Sequence, residues 1–333
     1  MMKQLIIVLL ASLFGFTTYA QTAKELQENG RAFLQQADFS NAILVLNRAK
    51  QLEPQNIDIS KDLALAYYFQ KDNNKALEII LPVLATDEAD DQCFQIAGNI
   101  YGQLGDIKEC EKIHKKGLKK FPNSGPLYND YGEFLYAQQD YTAIKWWEKG
   151  IEMDPGFSKN YLNACKYYYL TADKVWCLIY GEIFVNIEPL GNRTPEVKNI
   201  LLEMYKKMFS DVQINNGQHE GKSFEKAFLQ AMNKQSQLAS LGITPETLTM
   251  IRTRFLLEWD HEYSQQFSFR LFDMYRQFLQ EGLFDAYNQW LFGAAQNLAG
   301  FQNWTNTNSA VYQEFVRYQR GRIFKIPTGQ YYH

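Results

Sequence analysis

One spacing pattern recurs along the first 190 residues and leaves few architectures open. A small residue is followed by a bulky one four positions later, a third marker seven positions later and a proline twelve positions later. The first copy is Ala42, Leu46, Ala49 and Pro54. The next is Ala76, Ile80 and Val83, with Glu88 in the proline position. Then come Cys110, His114, Gly117 and Pro122; Ala143, Trp147, Gly150 and Pro155; and Cys177, Gly181, Phe184 and Pro189. Successive copies are 34 residues apart, except for one step of 33. An upstream half repeats as well: Gly30 with Phe33, Ala64 with Tyr67, Gly98 with Tyr101, Gly132 with Leu135 and Cys165 with Tyr168. Steps of three and four are helical, and the intervening Gln36, Ala37 and Asp38, or Leu104, Gly105 and Asp106, are turn formers. Each period therefore predicts two antiparallel helices, brought close by small residues and ended by proline, which has no N–H to carry a helix on. Such a pair cannot bury its apolar face alone, so the pairs must stack.

These residues resemble the tetratricopeptide repeat. Five units are expected, at 23–56, 57–90, 91–124, 125–157 and 158–191. The fifth is degenerate, with Cys165 and Cys177 at the close-contact positions and Gly181 where a bulky residue is usual. The resemblance implies an all-α fold, a right-handed α-α superhelix followed by a C-terminal helical region. It also implies a concave face lined by the first helix of each unit. Here those positions are Gln27 and Arg31; Lys61, Leu65 and Tyr68; Gln95, Asn99 and Gln103; Asn129, Glu133 and Tyr136; and Lys166 and Tyr169. Amides can bond an extended backbone as donor and acceptor, and tyrosine offers apolar area with a polar tip. The expected partner is a peptide or protein. The competing readings are a solvated inner face and one filled by the C-terminal segment, Phe324 to His333.

Residues 192–333 lose the period but keep helical spacing, and form the expected aromatic-rich, all-helical C-terminal domain. Thr194, Pro195 and Glu196, and again Thr244, Pro245 and Glu246, read as helix starts. Helices are expected near 195–210, 222–239, 245–262, 267–280, 283–297 and 308–323. Fourteen aromatics lie between Phe255 and Trp304, and their helical spacing reads as core.

Residues 1–20 read as a secretory signal. Lys3 precedes twelve apolar residues, Leu5 to Phe16, too few to span a bilayer core of about 30 Å. Thr18 and Ala20 suit cleavage after Ala20. The mature chain is then expected to be periplasmic or secreted, without a transmembrane segment. The net charge of −3 gives no field for nucleic acid. Four scattered histidines and four cysteines, with no HExxH or CxxC pattern, predict neither a metal nor a cofactor.

Three other groups could carry function. Lys108, Lys112, Lys115, Lys116 and Lys119 share a helical face, which reads chiefly as solvated. Cys165 and Cys177 replace the close-contact residues of one hairpin, so either a disulfide or two buried thiols fits there. Asp260, His261 and Glu262 are adjacent on one helix, where neighbours point apart, and no catalytic residue is assigned. The functional expectation is an exported, non-enzymatic interaction scaffold. The alternatives are an enzyme or ligand-binding site in the C-terminal helices, and a structural subunit of an envelope assembly.

Overall fold

The computed structural model describes residues 21–171, 173–210 and 223–333; the expected signal segment lies outside them. Ten helices form five pairs: α1 (Ala23–Gln35) with α2 (Phe39–Leu52), α3 (Ile57–Phe69) with α4 (Asn73–Leu84), α5 (Asp91–Leu104) with α6 (Ile107–Lys120), α7 (Gly125–Ala137) with α8 (Ala143–Met153), and α9 (Ser158–Tyr169) with α10 (Lys174–Ile187). No strand occurs among the described residues. The fold is an all-α array of consecutively packed helix pairs, divided into two compact units, Met1–Lys116 and Gly117–His333.

The pairs repeat down to their caps. Thr22, Asn56, Asp90 and Ser124 each turn a side-chain oxygen onto the backbone N–H three residues on, at the start of a first helix. Asp38, Asp72, Asp106 and Asp173 do the same at the start of second helices. Each such bond satisfies one of the donors left open at a helix start. The residue before the turn aspartate takes positive φ in four pairs: Ala37, Lys71, Gly105 and Gln139. Only Gly105 adopts that left-handed backbone without steric strain. Prolines 54, 122, 155 and 189 stand two residues beyond α2, α6, α8 and α10. The second pair departs from this. Pro82 lies inside α4, which stops at Leu84, and Glu88 stands in the usual proline position.

Packing within a pair is one-sided. A Cβ added to Gly30 would lie 2.5 Å from Leu46, one on Gly98 2.6 Å from the His114 ring, and one on Gly132 2.3 Å from the Trp147 indole. The small residue of the first helix therefore receives the bulky residue of the second, fifteen or sixteen positions on. The fifth pair inverts the arrangement. Gly181 holds the bulky position, and Cys165, Leu201 and Val197 close over it, the thiol 2.8 Å from a built Cβ. This inversion accounts for the degenerate look of that repeat.

Beyond residue 191, α11 (Thr194–Ser210) packs on α10 and carries the stack one helix further. Next come α12 (Phe224–Asn233), α13 (Ser236–Ala239), α14 (Pro245–Glu262), α15 (Arg270–Gln280) and α16 (Phe284–Asn288). A π turn, Gln289–Gly293, leads into α17 (Ala294–Gln296), followed by α18 (Leu298–Thr307) and α19 (Ser309–Arg320). The expected helix over 222–239 is broken between Asn233 and Ser236. Helix α18 was not expected: it buries no side chain, so it lacks the apolar stripe that reveals a helix in sequence.

The aromatics do form core. Phe255, Trp259 and Phe272 are fully buried and in mutual ring contact. Another set of rings, Tyr275, Phe284, Tyr287 and Phe292, surrounds the fully buried Arg252 of α14, which is hydrogen-bonded to Glu182 of α10 and Asn288 of α16. Its guanidinium sits 4.5 Å from the Tyr275 ring centroid, and Tyr287 donates to the same Glu182 carboxylate at 2.6 Å. The last repeat helix is thereby tied to the helices that follow.

Three outcomes are expected in reversible urea unfolding. Gly98→Ala should lose about 1–3 kcal/mol by overpacking. Gly102→Ala, one turn along α5 where the nearest atom is 3.7 Å away, should be neutral or gain up to about 1 kcal/mol of helix propensity. Arg252→Leu should lose about 3–5 kcal/mol by leaving Glu182 buried and unpaired.

Candidate functional site

Several residues expected to line the inner face bond to other polar residues of their own or a neighbouring helix. In the first compact unit, Gln27 Nε2 and Arg31 Nε both donate to Asp62, at 2.6 and 2.7 Å. Lys61, nearly buried, pairs with Asp90 at 2.5 Å and Asp58 at 2.9 Å. Burial works against its charge, but the bonds to Asp90 and Asp58 outweigh it and hold its pKa above the ordinary lysine value. Because Asp90 also caps α5, Lys61 fastens one first helix to the start of the next. Leu65, Tyr68 and Gln95 are half-buried, and Asn99 and Gln103 are exposed.

The second compact unit repeats the device. Asn163 Nδ2 donates to Asn129 at 2.9 Å and to Glu133 at 3.0 Å. Lys166 pairs with Glu196 at 2.7 Å, and the Tyr169 hydroxyl donates to Glu203 at 2.5 Å. Each bond joins a first helix to the one stacked beside it, across 29 to 35 residues. The last two reach α11, so the ladder also continues past residue 191. Several residues expected to meet a ligand through their polar groups are thus already engaged within the chain: Gln27, Arg31, Lys61, Asn129, Lys166 and Tyr169.

What the second compact unit leaves open is apolar and aromatic. Three depressions of about 310, 340 and 390 Å³ adjoin along α7, α9 and α11, and all three are lined by Leu170. That leucine caps α9 and is 71% exposed. Tyr136 and Tyr167 line the first two depressions, Trp147 and Glu133 the first, Tyr141 the second, and Tyr169, Asn199 and Glu203 the third. Glu133, Tyr136, Lys166 and Tyr169 were singled out from sequence. Leu170, Tyr167, Asn163 and Glu203 were not. Their signal was available in part: Glu203 stands one period after Tyr169, and Leu170 repeats the exposed apolar Phe69 of the second pair in the same register.

The remaining candidates resolve as follows. Cys165 and Cys177 are free, buried thiols with sulfurs 3.9 Å apart. Their mutual hydrogen bond, with burial, pushes Cys177 well above the ordinary thiol range. Lys112 and Lys115 pair with Glu109 and Glu111 on an exposed face. Asp260 and Asp273 both bond Arg276, whereas the His261 side chain, 80% exposed, bonds Glu262. These three do not converge on a common point.

The C-terminal segment lies against other residues than those of the inner face. Tyr332 stacks on Phe224 and donates to the Ser268 carbonyl, and Gln330 accepts from the Arg270 N–H. His333 meets Tyr168, Trp176 and Glu148. Burial pushes the Glu148 carboxyl up to about 7, with the Tyr168 and Tyr180 hydroxyls working in the opposite direction.

Asn163→Ala should cost about 1–3 kcal/mol, because buried Asn129 loses a donor. Arg31→Ala, at a half-exposed pair, should cost under about 1 kcal/mol. Both are read by chemical denaturation. A carboxyl whose pKa is raised on folding favours the folded state in its protonated form, so its stabilising effect fades as pH climbs from about 4.5 to 7. Glu148→Gln should therefore raise stability at pH 8, on the order of 2–3 kcal/mol, and change it little at pH 4. Thermal melts at the two pH values measure the difference.

No known family's sequence profile and no curated protein matches the chain. Solved structures do. TTC0263, a thermophilic TPR protein of Thermus thermophilus, is 14% identical and matches 54% of this chain and all of its own, with a TM-score of 0.47. Pseudomonas aeruginosa pilF is 16% identical over 66% of this chain and 91% of its own, at 0.46. A tetratricopeptide repeat protein of Parabacteroides merdae is 16% identical over 77% and 97%, at 0.41. By its own period, caps and pairwise packing, the chain is a helical repeat array, consistent with a tetratricopeptide repeat protein.

Proposed function

We propose that the chain is an exported, non-enzymatic scaffold that holds a peptide or protein partner against its first-helix face. One observation carries the reading: the three adjoining depressions that meet at exposed Leu170. An exposed leucine ringed by tyrosines offers apolar area that a partner would remove from water, at about 25 cal/mol per Å². The ladder supports the reading from another side. It holds neighbouring first helices in fixed register, so the surface is ordered before a partner arrives and little conformational entropy remains to be lost on binding. In the first compact unit, exposed Asn99 and Gln103 would offer amide contacts to an extended backbone.

Export rests on the composition of residues 1–20, and the working compartment is then a periplasm or the exterior. Among the described residues no helix is long and apolar enough to cross a membrane.

Affinity capture from the native envelope, quantified by mass spectrometry, tests the reading. A specific partner should fall at least tenfold when the bait carries Leu170→Asp with Tyr136→Ala, and less with Tyr68→Ala and Asn99→Ala. Equal recovery on all baits would refute the groove. Fractionation with N-terminal sequencing tests export: the mature chain should begin at Gln21, and a cytoplasmic chain retaining Met1 would refute that part.

A further inference from the structure

Within the second compact unit, the depression between α7 and α9 has a composition that selects for charge. Its walls are Tyr136, Tyr167 and Trp147, and Glu133 stands in the same lining. Tyr141 extends the aromatic wall into the adjoining depression, its ring 5.9 Å from that of Tyr136, and the Trp147 ring lies 5.6 Å from Tyr136. Glu133 is exposed and accepts one bond, from the neutral Asn163 amide. No cation lies within ion-pair distance of it among the described residues. The cation that does line the depression, Lys166, is drawn off to Glu196. Ring faces are the negative side of the aromatic quadrupole, and a cation among several of them is attracted by about 0.5–2 kcal/mol. A carboxylate lacking a counter-charge adds a second attraction for the same group.

We propose that this depression receives a basic side chain, arginine by preference, of an extended partner segment whose neighbouring apolar residue covers Leu170. Arginine fits better than lysine because its planar guanidinium stacks on rings and bonds a carboxylate through two N–H groups at once. Its aliphatic stem would lie along Tyr136 and Tyr167, covering apolar surface while the head reaches Glu133. The inference rests on the groove reading above, and names the chemistry that the groove selects.

The test uses blocked, fluorescein-labelled hexapeptide pools, degenerate except for a fixed third residue: arginine, lysine, citrulline or glutamate. Citrulline keeps the shape of arginine without its charge. Binding to the full chain is followed by fluorescence anisotropy at low salt. The arginine pool should bind at least tenfold more tightly than the citrulline pool and more tightly than the lysine pool, and the glutamate pool should bind most weakly. Glu133→Gln should reduce the arginine–citrulline gap to under threefold with an unchanged melting temperature, and the uncharged Leu170→Ser should weaken all pools alike. Equal binding of the arginine and citrulline pools would overturn the basic side chain while leaving the groove intact. Binding of no pool would overturn the groove together with it.

Discussion

The array depends on a fit between unlike partners. In three of the five pairs a glycine on the first helix accepts a bulky residue from the second: Leu46 over Gly30, the His114 ring over Gly98, the Trp147 indole over Gly132. Close-packed interiors tolerate neither a void nor an overlap of one methylene at such points. The fit therefore fixes both how near the two helices come and how they are rotated. Within each compact unit, stacking covers the apolar faces that a single pair would leave wet. The fifth pair shows that the constraint is on the sum. Where Gly181 gives up its volume, a thiol and two aliphatic side chains from α9 and α11 restore it.

The polar ladder is a second consequence of stacking. Residues a period apart, give or take one helical turn, lie side by side on adjacent first helices. Gln27 and Arg31 thus find Asp62, and Tyr169 finds Glu203. Half-exposed pairs of this kind add little stability each. In the second compact unit they engage Asn129, Asn163 and Lys166 within the chain, while Tyr136, Tyr167 and Leu170 line the depressions beside them.

Beyond the repeats the chain is held by a buried charge. Arg252 lies wholly inside an aromatic core, which is tolerable only because Glu182, Asn288 and the faces of several rings surround it. Such a pair contributes less to net stability than to uniqueness: few arrangements of these helices satisfy it, and a misplaced one strands a charge. The bonds that Lys166 and Tyr169 make to α11 belong to the same continuity, and the second compact unit runs from Gly117 through the aromatic helices without a break at residue 191.

Periodicity alone determined the helix pairs, their turns and their order, since helix spacing, caps and proline stops act over a few residues and are written locally. Aspartate before each second helix, and proline after four of the five, could be read at fixed intervals, and the aromatic stripe could be read as core. Which inner-face groups would remain open could not be read, because that depends on partners thirty or more residues away in another helix. The same limit hid α18, which buries nothing, and the pairing of Arg252 with Glu182 across seventy residues. Local propensity is a property of the chain, whereas the accessibility of a tyrosine or the charge state of a carboxylate is set by what packs beside it, and only the folded array supplies those neighbours.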